Sequence, residues 1–184
     1  RVLEELEIAY YEEGSRLRVE VPDSKGTNIH KWSVDFVIHV PTAMEIFADQ
    51  GVGDLRIEQI STAGRIMIDY GVGEVEVVNV QANDLSLDVG VGDVFLDAVI
   101  ADHVRLDLGI GDLEFHVPRT ANYYASMSVG VGDLEIEGYA FPGVYIQERG
   151  FMSRSAEIEL GDGSDSLSID VGMGQITFRI EDDD

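Results

Sequence analysis

The chain has 184 residues, of which 45% are hydrophobic, so it can fold around a core and is not a disordered acidic tail. Asp and Glu number 36 against 12 Lys and Arg, and the formal charge of −24 argues against nucleic acid or anionic lipid as a partner. The absence of cysteine excludes disulfides, thiolate metal sites and cysteine nucleophiles.

Residues 1–40 show longer strand patterns than the rest of the chain, and we expect them to form N-terminal capping strands. No apolar run approaches the ~20 residues that a membrane helix needs. The first residue is Arg1 and not Met, so we expect any membrane anchoring to depend on a segment outside this sequence.

The dominant feature of the following residues is an internal repeat, marked by the motif Gly-aliphatic-Gly-polar-aliphatic. The first glycines of the six motifs are 20, 19, 19, 21 and 42 residues apart. These six glycines are Gly51, Gly71, Gly90, Gly109, Gly130 and Gly172. The last interval is twice 21, which predicts one degenerate or enlarged repeat between Gly130 and Gly172.

Apolar and polar residues alternate on both sides of each motif, which indicates two strands per repeat with one face buried. The phase changes at the motif, since Leu87 and Val91 are odd-numbered whereas Val94 and Leu96 are even-numbered. One extra residue there lets the chain turn a corner while apolar side chains, Val91 included, stay inside, and glycine accepts the positive φ of such a corner. A second bend is expected near three alanines spaced by 19 residues, Ala63, Ala82 and Ala101.

A constant period near 20 predicts an all-β, single-domain β-solenoid, right-handed and β-helix-like, with about 19–21 residues per coil and each coil pairing with the next. One domain is expected over residues 1–184, with regular coils at 41–138 and an enlarged coil and C-terminal coil at 139–184. A β-sandwich ranks second, because it would not need the same corner motif in every repeat.

The repeated GVGD corners, together with His39-Val40-Pro41 and His116-Val117-Pro118, resemble a bacterial β-strand-repeat family named for adhesins and also called toastrack-like. The resemblance covers about residues 34–184. It implies a solenoid-like fold and an extracytoplasmic or membrane-anchored protein of the cell envelope. It brings no catalytic or binding residues with it.

Two columns of acidic residues are predicted to flank the glycine corners, and carboxylates in stacked coils would lie ~5 Å apart. The first column consists of Asp69, Asp88, Asp107 and Asp170 and is interrupted by Ser128, and the second consists of Asp54, Glu74, Asp93, Asp112 and Asp133 and ends at Gln175. The calcium hypothesis assigns Asp88, Asp93, Asp107 and Asp112 as ligands, because Ca²⁺ prefers clustered carboxylate oxygens. The favoured interpretation is that the second column bonds backbone N–H groups of the corner, as Asp does in turns. No cofactor is predicted, and Ca²⁺ is the one ion to test.

Other constellations point to structure more than to chemistry. Each Gly-x-Gly motif leads into a strand pattern, whereas a phosphate loop needs a following helix N-terminus. The aromatic residues that break the repeat include Trp32 and the Tyr123-Tyr124 pair, and we interpret them as packing in preference to sugar binding.

These patterns predict a non-enzymatic envelope or surface domain that binds a protein or glycan surface, with an adhesin-type role. The first alternative is an extracellular polysaccharide-active enzyme on a β-helix, with a carboxylate pair among the 36 acids. The second is an intracellular or membrane-linked regulatory domain in stress signalling.

Overall fold

The computed structural model describes residues 9–13, 16–20, 35–138, 145–149 and 153–181, with side chains in 35–138 and 153–181. The chain divides into two units, Arg1–His39 and Val40–Asp184. In the first unit, β1 (Ala9–Glu13) pairs antiparallel with β2 (Arg16–Glu20). The predicted capping strands otherwise fall on 1–8 and 21–34, outside the described residues, or on 35–40, which form no strand.

The second unit contains a nine-stranded sheet within the described residues. Its strands are β3 (Ile46–Val52), β4 (Leu55–Glu58), β5 (Arg65–Val72), β6 (Val75–Val91), β7 (Val94–Pro118), β8 (Tyr123–Glu137), β9 (Tyr145–Arg149), β10 (Ser153–Glu159) and β11 (Asp165–Glu181). All described secondary structure is strand, which confirms the all-β class. No stretch of the described residues forms a helix of the length and hydropathy that crossing a bilayer requires.

Neighbouring repeats pair in parallel with an offset of about one repeat in the sequence. Ile66 of β5 lies opposite Leu85 of β6, and Leu85 lies opposite Val104 of β7. This register is strongly specified, because a slip of one residue would turn every apolar side chain to the solvent face.

The inner face of the paired strands is one continuous core, as the alternation predicted. Ile66 and Leu96 have no exposed surface, and Leu85 is 1% exposed. Phe115 and Phe178 are fully buried and pack edge to face, with ring centroids 5.9 Å apart. Burying a side chain of this size contributes about 1.5–3 kcal/mol relative to leaving it in water.

The last strand lies inside the sheet and not at its end. β11 pairs in parallel with β7 on one side and with β8 on the other, so that Ile169 lies opposite both Leu106 and Met127. The offsets are 63 and 42 residues, close to three and two repeats. The expectation that each coil pairs with the next in sequence is therefore wrong at β7 and β8. These strands and β11 share the same alternation of buried and exposed residues, so a different spatial order moves no side chain to the wrong face of the sheet.

The interval between β8 and β11 departs from the parallel arrangement. β10 pairs antiparallel with β8, placing Ala156 opposite Met127, and β9 pairs antiparallel with β10. In its described residues, the additional repeat expected between Gly130 and Gly172 is therefore a pair of antiparallel strands. β10 covers the edge of β8 that β11 leaves free, and a covered edge is protected from pairing with another chain.

The second bend of the repeat falls close to the predicted position. Between β6 and β7 the register shifts at Val78/Val80 and at Ala82/Asp84. Asn79 takes φ 53°, a left-handed conformation that Asn tolerates better than most residues. These shifts place Ala82 opposite Ile100 and not opposite Ala101.

Candidate functional site

The glycine corners continue the interstrand hydrogen bonds instead of interrupting them. The N–H of Gly73 donates to the carbonyl of Val91 at 3.0 Å, and the N–H of Gly92 donates to that of Ile110 at 2.9 Å. As a result β7, β8 and β11 each run through a corner as one strand, where the sequence predicted two.

The second glycine of each corner lies against the backbone of the neighbouring repeat. Gly92 has φ +151° and Gly174 has φ +147°. A Cβ on Gly92 would fall well inside 3.0 Å of the carbonyl oxygen of Gly73, and a Cβ on Gly174 would do the same at Gly111. Glycine is therefore required both for its conformation and for this close approach.

The first acidic column forms as predicted and is one residue longer. Asp88 lies opposite Asp69 on one side and opposite Asp107 on the other. In spatial order the column runs Asp49, Asp69, Asp88, Asp107, Asp170, Ser128. Asp49 is not among the predicted members, although it stands two residues before its corner glycine, as the other four acids do.

The second acidic column accepts hydrogen bonds from backbone amides. Asp93 Oδ1 accepts from the N–H of Asp112 at 3.2 Å, and Asp112 Oδ1 accepts from the N–H of Gln175 at 3.0 Å. This is the favoured role, with one difference: each amide belongs to the next repeat in space and not to the acid's own corner. The carboxylates thus link neighbouring repeats, and such charge-assisted bonds are stronger than neutral ones.

The calcium candidates are divided between the two columns. Asp88 is opposite Asp107 in the first column, and Asp93 contacts Asp112 in the second. Asp107 also forms an ion pair with Arg105, with Nε and Oδ2 at 2.7 Å. Within 35–138 and 153–181 no group of three or more His, Asp or Glu side chains could hold a metal ion. Ca²⁺ takes six to eight oxygen ligands, and the calcium hypothesis stays a prediction to be tested.

The residue between the two glycines points outward, contrary to the prediction for Val91, which is 43% exposed. The cause is the corner itself, because the change of direction at the second glycine leaves the preceding side chain on the outer side of the bend. Six such residues, exposed by 40 to 77%, lie opposite one another in one row. We name the row the corner ridge; in spatial order it is Val52, Val72, Val91, Ile110, Met173, Val131.

His116 belongs to a charged group on the strand segments that follow the corners. Its Nε2 lies 2.6 Å from Glu114 Oε1, and its Nδ1 lies 2.9 Å from Glu181 Oε1. Arg179 Nη1 reaches Glu114 at 2.9 Å, and the His116 ring packs edge to face on Phe95. The group joins the outer faces of β7 and β11. His39, at the other HVP sequence, is exposed, so the shared motif does not give the two histidines the same surroundings.

Two buried tyrosines place their hydroxyl groups on backbone atoms. Tyr123 is 1% exposed, and its hydroxyl donates to the carbonyl of Ile100 at 2.7 Å and accepts from the Ile100 N–H at 3.1 Å. Burial raises the pKa of Tyr123 to about 12. Tyr70 donates to the carbonyl of Gly53, and burial likewise raises its pKa. Tyr123 is therefore a packing residue, whereas Tyr124 is 50% exposed. The other aromatic candidates lie outside the described side chains.

Comparisons with known proteins give one structural similarity. No family model matches the chain, and no curated protein matches it. A solved structure, "a putative cell adhesion protein from Clostridium sporogenes ATCC 15579", is similar over 95% of this chain and 76% of that one. The sequences are 14% identical and the TM-score is 0.44. A similarity of this degree carries no functional argument, so the function is argued from the chain's own residues.

Proposed function

We propose that this chain is a non-enzymatic binding module of a bacterial cell envelope or surface, adhesin-type in its role and built as a right-handed β-solenoid. The solenoid is supported by the pairing of the regular repeats, in which residues one repeat apart lie in parallel register. It is also supported by the corners, where the second glycines of successive repeats contact each other's backbone, as Gly92 and Gly73 do.

The observation that carries the binding role is the uniform outer surface at the corners. Four of the six repeats present an acid, a glycine, an aliphatic residue, a glycine and an acid, for example Asp88, Gly90, Val91, Gly92 and Asp93, and the other two have Ser128 or Gln175 in place of one acid. In register, these rows cross six repeats, which corresponds to a length of ~24 Å. Repeat proteins use such extended, regular surfaces to bind extended partners.

The enzyme alternative is supported less well by the same surface. Glycoside hydrolysis needs two carboxylates facing each other across one substrate cleft. The corner rows instead repeat one or two carboxylates in each repeat along the outside of a bend. A shallow depression beside them, lined by Arg65, Ile66, Met67, Asp84 and Ser86, contains one carboxylate, that of Asp84, and so does not supply the pair.

The proposed envelope location follows from the family resemblance of the GVGD corners. The charge of −24 fits a module whose partner is neutral or cationic, since a polyanionic partner would be repelled.

The test of the location uses the full natural protein in its own cells. Antibodies against this chain are applied to intact and to permeabilised cells, and intact cells are also treated with protease. We expect labelling and cleavage on intact cells. Labelling only after the cytoplasmic membrane is permeabilised, with the protein recovered in the soluble cytoplasmic fraction, would overturn the envelope location and favour the stress-signalling alternative.

The test of the non-enzymatic role uses the purified chain. It is incubated with a panel of polysaccharides, and the release of reducing ends is measured against an Asp84→Asn control. We expect no release above the background of a blank. Release by the wild type that Asp84→Asn abolishes would overturn the non-enzymatic role.

A further inference from the structure

The corner ridge is an unusual use of aliphatic side chains, because all six positions face solvent. Val52 is 77% exposed, Met173 is 50% exposed and Ile110 is 49% exposed. β-propensity explains a preference for branched residues, but Thr would satisfy it equally and stands at none of the six positions. A contiguous row of exposed apolar side chains marks an interaction site more often than single exposed apolar residues do.

The surroundings of the corner ridge leave it open to a partner from both sides. A glycine precedes and follows each ridge residue, so the residues adjacent to it in sequence have no side chain to shield it. Beyond the glycines lie the two acidic columns, with five carboxylates each. These are Asp49, Asp69, Asp88, Asp107 and Asp170 on one side and Asp54, Glu74, Asp93, Asp112 and Asp133 on the other.

The acidic columns carry net negative charge towards solvent. Nine of the ten carboxylate residues are exposed, and Asp107 is half-buried. Within the described side chains, Arg105 pairs with Asp107 at 2.7 Å and Arg154 pairs with Asp133 at 2.5 Å. Two arginines against ten carboxylates leave a strong negative field on both sides of the apolar strip.

We propose that the corner ridge docks a cationic amphipathic helix of a partner protein, one whose apolar stripe is bordered on both sides by Lys or Arg. The inference rests on the proposed binding function and names its surface and its class of partner. The ridge length of ~24 Å corresponds to about 16 helical residues, with apolar anchors at i, i+3, i+4 and i+7. Lys and Arg stems can lie along apolar surface while their charged ends reach sideways to the two columns.

Charge complementarity selects this occupant over two others. A second copy of the chain would bring its own acidic columns against the same columns, with −24 on each molecule. An anionic membrane would meet the same repulsion. Both remain measurable outcomes of the experiment.

The experiment measures binding of a synthetic Leu/Lys peptide of about 16 residues that forms a helix with Leu on one face. An isomer of the same composition, shuffled so that no apolar face forms, is the peptide control. Fluorescence anisotropy at low and at high salt gives Kd for each peptide. We expect the amphipathic peptide to bind at least about tenfold more tightly than its isomer, and binding to weaken with salt.

Two matched triple variants test whether the ridge provides the apolar contact. The ridge variant carries Val72→Ser, Val91→Ser and Ile110→Ser. The control variant carries Met67→Ser, Val99→Ser and Tyr124→Ser, which removes side chains that are 40 to 50% exposed elsewhere. We expect the ridge variant to weaken binding about tenfold or more and the control variant to change it less than about threefold.

Melting curves verify that each variant is folded, and Ile110→Lys provides a second route if the ridge triple variant unfolds. A lysine at this exposed position would repel the cationic peptide, and we expect it to weaken binding about tenfold. Loss of binding in Ile110→Lys with an unchanged melting curve supports the proposal even if the triple variant cannot be used.

Three results would overturn the proposal. The first is equal binding of both peptides, or equal loss in both triple variants, which would indicate general attraction of polycations. The second is no binding of the amphipathic peptide at low salt. The third is self-association of the wild type, or binding to lipid vesicles, that the ridge variant abolishes. Each would leave the surface location and the non-enzymatic role intact, because those are measured by antibody labelling and by reducing-end release.

Discussion

Alanine at Gly92 is the sharpest perturbation of the stacked corners. Two separate costs arise there. An L-residue held at φ +151° is strained by roughly 1–3 kcal/mol. The new Cβ would also lie far inside the contact distance of the Gly73 carbonyl oxygen, which is backbone and cannot rotate away.

The second cost exceeds the first, because the two repeats must separate to admit the methyl group. Separation weakens the ladder bonds that join these two repeats at the corner, which measure 3.0 Å from the Gly73 N–H to the Val91 carbonyl and 2.9 Å from the Val75 N–H to the Asp93 carbonyl. Each such bond contributes about 1 kcal/mol, and the core beneath the corner loosens with them. We expect Gly92→Ala to lower the free energy of unfolding by more than about 4 kcal/mol, which is more than most single substitutions cost.

The first corner supplies two matched controls in the same motif. Gly53 has φ +136°, but a Cβ there would meet chiefly the Gln50 side-chain nitrogen at 2.7 Å, so Gly53→Ala should show the conformational cost of roughly 1–3 kcal/mol alone. Gly51 has nothing within 4 Å of a new Cβ and no positive φ. Gly51→Ala is therefore expected to be neutral or to stabilise by up to about 1 kcal/mol, through the unfolded state.

The assay is urea denaturation followed by far-UV circular dichroism, with thermal melting as a second probe. The expected order of stability is Gly51→Ala, then Gly53→Ala, then Gly92→Ala. The reasoning is refuted if Gly92→Ala lies within about 1 kcal/mol of the wild type, since the corners would then not approach as described. It is equally refuted if Gly51→Ala is as damaging as Gly92→Ala.

Three further predictions address the core, the pH response and the ions. Phe178→Ala should cost about 3–5 kcal/mol in urea denaturation, because its ring is fully buried; a cost below about 1 kcal/mol would contradict the described core. The pKa of Tyr123 is raised to about 12 in the fold from about 10 in the unfolded chain. The neutral hydroxyl therefore makes its full contribution to the free energy of unfolding below pH 10, and up to about 3 kcal/mol of this contribution is lost as the pH rises towards 12. Tyr123→Phe should remove this part of the alkaline loss, and denaturation curves of both proteins that change in parallel above pH 10 would reject the assignment. Melting temperatures in CaCl₂, MgCl₂ and NaCl at matched ionic strength should coincide, since Asp93 and Asp112 accept backbone hydrogen bonds; a higher value in CaCl₂ alone would establish a calcium site.

Much of the candidate site could be predicted from the sequence because it depends on local rules. Alternation of period two identifies the inner face, and the recurrence of Asp two residues before the first glycine identifies the first acidic column. The amide that Asp112 binds could not be predicted in the same way. It belongs to Gln175, 63 residues away, and only the spatial order of the repeats brings the two together.

The exposure of the corner-ridge side chains to solvent also depends on the course of the backbone in three dimensions. Val91 continues the apolar alternation of Leu87 and Val89 and was therefore expected in the core. Its exposure follows from the bend at Gly92, where φ +151° turns the chain after the side chain has been placed on the outer side. The residue type alone does not tell whether the side chain points into the core or to solvent, because an aliphatic side chain can be accommodated on either side of the bend.

The sequence by itself determined an all-β chain, its repeat length, its corners and its buried face, since each of these follows from the order of apolar, polar and glycine residues along the chain. Tertiary structure alone decided which repeats are neighbours. β11 has the same phase as β7 and β8, so the period permits it beside either of them or after both. What places it between them is contact between residues far apart in sequence, the Phe178 ring against Phe115 of β7 and the Gly174 backbone against Gly132 of β8, and no local pattern records such contacts.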